Sequence, residues 1–378
     1  MEKTLIFNKV LEHFGLEQES VQFAAGTKIL TFILDTMRPF LTKVNFEPSQ
    51  KAILSKFLEE KTLTVYLDDL DRGWEGTKSN IKRISALLNA IRDLSNENPG
   101  LKFRVALRSD VYFLVRTSDE STDKIEGSVV WLAWTNQEIL VMLIKRIETF
   151  FRHNVNEKDL MQKKTKELAI YLDQIMEPTF SGKGKWENAP MYRILMSLIR
   201  KRPRDLVKLC TLAARMAYDR DSSVISTVDF QSIFEDYSQG RIQDAINEYR
   251  SEFPEIERLL MGMKPSKKEK SSHEAYTYST DKLIDKINNI IEQGVFRFAN
   301  GNIAEAKQLI HFLYKINFLT ARKTLATGEI QRKYFEESRY LSNDFADFGY
   351  AWEIHPAYRW ALQPDSIEDI FAHVDLCE

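Results

Sequence analysis

The stretch TLTVYLDDLDRGWEGTKS, residues 62–79, decides the reading, because two nucleotide-binding devices compete for it. Its second half, GTKS, offers a phosphate loop; its first half, YLDDLDR, offers metal-binding carboxylates. A phosphate loop reads G-x-x-x-x-G-K-[ST], since a glycine directly before the lysine lets consecutive backbone N–H groups curl around phosphates. Here Thr77 precedes Lys78 and Arg72 stands where the first glycine belongs, so both fixed glycines are missing. Two other stretches fail in the same way. AAGTKI around Lys28 lacks the first glycine and the closing Ser/Thr, and SGKGKW around Lys185 ends in Trp186. The first half fits its role better. Val65, Tyr66 and Leu67 form a short apolar run ending in carboxylates, the form of a strand buried on both faces. Such a strand end places Asp68 to hold Mg²⁺ through water and Asp69 to orient an attacking water. The competing explanation is a solvated strand end or a helix cap.

Working outward, Ile81, Ile84, Leu87, Leu88 and Ile91 predict a helix over about residues 78–95, stopped by NENPG. LKFRVALRSD predicts a second strand and SVVWLAW a third. Strand, helix, strand, polar loop, strand is the pattern of a parallel α/β sheet, whose functional groups gather at the carboxyl ends of strands. Asp68, Asp69, Arg108–Asp110 and Thr135 fall there. Residues 1–60 read as helices, so 1–135 is expected to form an incomplete α/β core.

From Asn136 to residue 261 the pattern is helical, a lid in the expected organisation. The insert EPTFSGKGKWENAP is expected to be an exposed loop, and Ser226 or Thr227 to cap a helix. GMKPSKKEKSSHEAYTYST, within 262–280, has the composition of a linker. Residues 281–378 then show two amphipathic helices followed by imperfect strand alternation, which suggests a winged-helix-like unit. His355, before Pro356, reads as a packed or capping histidine, because no Ser/His/Asp or Cys/His set surrounds it.

The 378 residues carry 43% hydrophobic and 29% charged side chains, an ordinary globular balance that excludes a wholly disordered chain. A net charge of -2 gives no global basic field, so nucleic acid would need a local patch. Two cysteines, Cys210 and Cys377, form no disulfide framework or zinc motif and point to a reducing compartment. The start lacks a signal-peptide core and no apolar run reaches membrane-spanning length, so a cytoplasmic chain without membrane contact is expected.

VYLDDLDRGW resembles the Walker B region of the KAP and related STAND-like P-loop ATPases of bacteria. The likeness continues through FRVALRSDVYFLV as the sensor 1 strand, VVWLAWTNQEILVMLIKRI as the last strand and helix, and RKRPRDLVKLCTLAARMA as the helical lid. FLYKINFLTARK and WEIHPAYRWAL look like the winged-helix end of members encoded in bacterial defence loci, so the likeness spans roughly residues 60–362.

The resemblance implies a partial P-loop NTPase-like core, with Asp68 and Asp69 as the catalytic and metal carboxylates. It further implies that Arg108, Ser109 and Asp110 lie at sensor 1, and that Arg202 or Arg204 acts like sensor 2, bridging lid and phosphate through a forked contact. Arg108 has a second reading, a pair with Asp68 or Asp69. Asp205, at a helix start, reads as a partner of the helix dipole. Lys315, Arg322, Lys323, Arg332 and Lys333, near Tyr314 and Phe318, are the candidates for nucleic-acid contact.

Family members carry a glycine-rich phosphate loop before the Walker B strand, and the 60 residues preceding it here hold none. ATP and Mg²⁺ are therefore expected only with a phosphate loop from a protein partner, in a regulatory or scaffolding subunit of an antiphage system. The alternative is a non-enzymatic adaptor, a degenerate ATPase core that binds protein or DNA or assembles with its own copies.

Overall fold

A computed structural model of the chain describes residues 56–118, 120–270, 275–325, 330–338, 350–363, 370–371 and 374–376. The helices expected over residues 1–55, and the stretch around Lys28, lie outside these. The chain divides into two compact units, residues 1–73 with 89–107, and residues 74–88 with 108–378.

In the first unit, β1 (Leu63–Leu67) and β2 (Leu101–Val105) pair in parallel, from Leu63 opposite Leu101 to Leu67 opposite Val105. Gly100 sets the approach to β2. A Cβ there would sit 1.9 Å from the Leu58 carbonyl oxygen, and the Gly100 carbonyl itself accepts from the Leu63 N–H. The expectation of a strand buried on both faces is corrected: β1 is half-buried and Tyr66 is 77% exposed.

The helix α1 (Lys78–Glu97) runs through the division between the units. Its start settles the fate of GTKS. The Asn80 N–H donates to the Thr77 hydroxyl and the Ile81 N–H to the Thr77 carbonyl, so the stretch is a helix cap.

The second unit opens with α2 (Ser109–Ser118), which buries Val111, Tyr112 and Val115 at helical spacing. The third strand expected over SVVWLAW does not form. Residues 129–135 are irregular, and no described neighbour supplies the ladder that a strand requires. Thr135 instead starts α3 (Asn136–Phe150) through a capping box with Glu138. The insert expected as an exposed loop is corrected too. It forms the hairpin β3 (Thr179–Ser181) and β4 (Glu187–Pro190), and Phe180 and Trp186 are wholly buried. Aromatic burial outweighs the glycine and lysine content of the stretch.

Two helices then order the unit, α4 (Pro203–Asp219) and α5 (Thr227–Tyr249). Pro203 takes the first turn of α4, where its missing N–H costs nothing, and Ser226 caps α5 in a box with Asp229. At 23 residues, α5 is about 34 Å long and joins two cores. Phe230, Ile233, Phe234 and Tyr237 enter the first, with α3 and the β3–β4 hairpin; Ile242, Ala245, Ile246 and Tyr249 enter the second.

Part of the stretch 262–280, read as a linker, belongs to that second core. Ala275, Tyr276 and Tyr278 are buried there, and β5 (Thr277–Tyr278) pairs with the later strand Ala351–Ile354. After α6 (Thr280–Glu292) and α7 (Ala306–Lys315) come β6 (Leu319–Thr324), β7 (Ile330–Lys333) and β8 (Ala351–Ile354). All pairings are antiparallel, in the order β5-β8-β6-β7. The fold is therefore mixed α/β, with one two-stranded parallel sheet and antiparallel sheets among the described residues. No described helix is long and apolar enough to cross a membrane.

Candidate functional site

Asp68 and Asp69 follow the carboxyl end of β1 directly, and both are exposed. Asp68 Oδ1 accepts the Asp69 N–H at 2.9 Å, and the Asp69 carbonyl accepts the Arg72 N–H at 3.1 Å. Asp69 has φ 59°, a left-handed conformation that aspartate and asparagine tolerate better than other non-glycine residues. Among the described residues, no group of three or more His, Cys, Asp or Glu is placed to hold a metal ion. A water-mediated Mg²⁺ contact needs only one or two carboxylates, which this pair can provide.

The remaining candidates lie in the second unit, where several of them converge on the carboxyl end of α5. Arg108 grips Asp110 with two donors, Nε at 3.0 Å and Nη2 at 2.6 Å. Its guanidinium lies 4.5 Å from the centre of the Tyr249 ring, and its Nε is 4.0 Å from Glu248 Oε1. Arg202 Nη1 donates to the other oxygen of the same carboxylate, Glu248 Oε2, at 3.1 Å. Lys315 Nζ donates to both oxygens of Glu252, at 2.6 and 2.7 Å, and lies 3.4 Å from Asp110. Ser109 is half-buried at the start of α2, and Arg204 is exposed on the first turn of α4.

The electrostatics follow from these contacts. Burial works against the Arg108 charge, but Tyr249, Asp110 and Glu248 offset it, and its pKa is raised. Burial likewise pushes Asp110 and Glu248 up, while Lys315 and Arg108 on the one, and Arg202 and Arg108 on the other, bring both below the ordinary carboxylate value.

Asp205 lies in the first turn of α4, as read from its position, and is also a buried acceptor. Both of its oxygens bind Arg200, at 2.8 and 3.0 Å, and Oδ1 also accepts from Arg241 Nη1 at 2.5 Å. Arg200 Nη1 further donates to the Tyr358 hydroxyl at 2.7 Å. Sequence reasoning missed Arg200, Arg241 and Glu248. The neighbouring KRPRD run hinted at Arg200, but Arg241 and Glu248 sit in an amphipathic helix with no local mark.

The candidates for nucleic-acid contact are mostly held by the protein itself. Beyond Lys315, Arg322 pairs with Asp375, and Arg332 donates to Glu353 at 2.8 Å and to the Asp375 carbonyl at 2.9 Å. Lys323 lies 5.6 Å from the Tyr350 ring centre, and Lys333 is half-buried. Glu353 is completely buried and receives Arg359 as well, at 2.5 Å. His355 is buried, as read from the sequence: its Nδ1 accepts the Ala357 N–H at 3.1 Å and its Nε2 meets the Tyr334 hydroxyl at 3.2 Å.

No protein-family model matches the chain, and no solved structure does. It is similar to the transposon gamma-delta 80.3 kDa protein of Escherichia coli (strain K12), with 22% identity over 334 residues. That match covers 84% of this chain and 43% of the transposon protein, so the chain spans less than half the length of this relative. It is also similar to the allergen Alt a 2 of Alternaria alternata, with 24% identity over 144 residues, 38% of this chain and 67% of the allergen.

Proposed function

We propose that the chain is part of a P-loop ATPase-like protein of the KAP and STAND-like group, a regulatory or scaffolding subunit whose phosphate cradle comes from another polypeptide. One observation carries the reading: Asp68 and Asp69 emerge directly from the end of β1, in a parallel pair whose strands are joined through α1. In this reading Asp68 holds Mg²⁺ through water and Asp69 orients the attacking water. Arg108 with Ser109, and Arg202 or Arg204, read the phosphates of ATP; Asp110 keeps Arg108 charged and in place. On the resemblance, the setting is a bacterial antiphage system, and the helices α6 and α7 with the strands β6–β8 form a winged-helix-like unit.

A protein partner is further supported by the apolar stretch before α3, much of which stays exposed among the described residues. Val130 and Leu132 are 79% and 89% exposed, and Trp131 and Trp134 are also exposed, more apolar surface in one segment than a lone soluble chain ordinarily leaves bare.

The test is a titration of Mg²⁺-ATP against the chain alone and together with the polypeptide encoded beside it. Tight saturable binding is expected only in the pair, and Asp68→Asn abolishes it. Asp69→Asn keeps the left-handed conformation and removes the charge, so it retains binding and blocks hydrolysis. Absence of binding in both samples instead leaves the second reading, a non-enzymatic adaptor for protein or DNA. That reading is favoured by one observation: Arg108, Arg202, Lys315, Arg322 and Arg332 already have carboxylate partners within the chain.

A further inference from the structure

Arg108 and Arg202 come from distant parts of the sequence, and each faces one oxygen of a single carboxylate, that of Glu248. Arg108 stands immediately before α2 and Arg202 is the cap residue of α4, so the guanidinium groups of two helix starts flank the same anion. This is the arrangement that a phosphoryl group exploits, with Glu248 occupying the anion's position.

We propose that Glu248 is a built-in stand-in for phosphate: it occupies the arginine pair, and a diphosphate or the terminal phosphates of a nucleotide displace it. The proposal rests on the reading of Arg108 and Arg202 given above and adds the regulation of that site. Two internal comparisons support exchange here. The side chains of Arg108, Arg202 and Glu248 are 19%, 33% and 28% exposed, so each keeps part of its surface in solvent. The nearby Arg200–Asp205 pair, at 2% and 1%, is sealed and has no such access. The contact is also unequal. Arg202 makes a hydrogen bond to Glu248, whereas Arg108 spends Nε and Nη2 on Asp110 and faces Glu248 only at 4.0 Å. Only one hydrogen bond among those described must break for the carboxylate to leave.

Displacement would be felt beyond the site. Tyr249, the next residue, lies under Arg108, and Glu252 is held by Lys315, which also reaches Asp110. Releasing Glu248 therefore loosens the carboxyl end of α5 where it meets α7, the helix that ends at Lys315. An anion exchanged at the arginines is thereby linked to the antiparallel sheet that follows α7.

The experiment titrates inorganic pyrophosphate, without Mg²⁺, into the full chain by calorimetry. Glu248→Gln removes the competing charge and keeps the shape, and it is expected to bind pyrophosphate about tenfold more tightly than the unaltered protein. Adding Arg202→Gln to Glu248→Gln reverses that gain. Equal or weaker binding by Glu248→Gln overturns the proposal, and so does a gain that survives Arg202→Gln. Should Glu248→Gln fail to fold, Glu248→Asp provides the second reading. The shortened carboxylate holds Arg202 less well, so tighter pyrophosphate binding than in the unaltered protein supports the proposal and unchanged binding overturns it. Because Mg²⁺ is absent, the result is independent of Asp68 and Asp69. Pyrophosphate exchange at Glu248 with no Mg²⁺-ATP binding would refute the ATPase reading alone.

Discussion

Arg200 and Asp205 meet at 2.8 Å with their side chains 2% and 1% exposed, and Arg241 closes on the same carboxylate from α5. The contact joins the start of α4 to the middle of α5 through charges that water does not reach. Removing the shared anion leaves Arg200 without its carboxylate and Arg241 with Asp244 alone, at 2.8 Å. Asp205→Ala is therefore expected to lower stability by about 3–5 kcal/mol in urea unfolding, and Asp205→Asn by less, since the amide oxygen still accepts one of the bonds. A loss below about 1 kcal/mol would mean that water or another carboxylate replaces it.

What the sequence revealed here was local. Thr135 with Glu138 and Ser226 with Asp229 are helix starts written within four residues, and the apolar spacing of α1 is visible in Ile81, Ile84, Leu88 and Ile91. β1 was legible because an apolar run ends abruptly in Asp68 and Asp69. The misread parts depend on partners far along the chain. Trp186, in what looked like an exposed loop, donates its Nε1–H to the Val374 carbonyl, and Tyr278, in what looked like a linker, packs in the second core. SVVWLAW failed for the opposite reason. It has strand composition, but a strand exists only where a neighbour offers hydrogen bonds, and no described residues do so.

Acid should destabilise the fold in two overlapping windows. Burial, aided by Arg332 and Arg200, lowers the His355 pKa from its ordinary 6.5 to about 3. The unfolded chain thus binds this proton first as pH falls, so stability is complete above pH 6.5 and declines towards pH 3. Glu353 is pushed up by burial but held down by Arg332 and Arg359, to about 2 from 4.5. Its contribution is complete above 4.5 and is lost as pH falls towards 2. Unfolding midpoints measured from pH 7 to pH 4 should therefore drop, with a slope of at most about 1.4 kcal/mol per pH unit from each group. His355→Gln should flatten the portion above pH 5, where Glu353 does not yet titrate.

Trp186 touches Phe180, Phe234, Trp360 and Phe371, with ring centres 5.2–5.9 Å apart, and so ties the β3–β4 hairpin to α5 and to the residues near 371. Trp186→Ala should cost about 3–5 kcal/mol and remove much of the near-ultraviolet dichroism of the aromatic cluster. Trp186→Phe keeps a ring but forfeits the hydrogen bond to Val374, for which about 1 kcal/mol is expected beyond the lost area. A similar loss in both variants would show that the bond, not the packing, holds the hairpin.

Arg322 distinguishes a nucleic-acid surface from an internal clamp. It pairs with Asp375 and lies 3.9 Å from the buried Glu353, so Arg322→Glu would set a third carboxylate against two others. Its first effect should be on stability, a fall of about 2–4 kcal/mol measured without any DNA. Lys323 and Lys333 are the fairer probes of DNA binding, because no carboxylate within ion-pair distance engages them among the described residues. If the unit binds duplex DNA, Lys323→Gln and Lys333→Gln should each lower affinity across all sequences and reduce the salt slope by about 1, with unfolding midpoints unchanged. If neither variant alters a mobility shift that the unaltered protein gives, the DNA lies elsewhere on the molecule. If the unaltered protein gives no shift at low salt, the β6–β8 strands serve protein contacts instead.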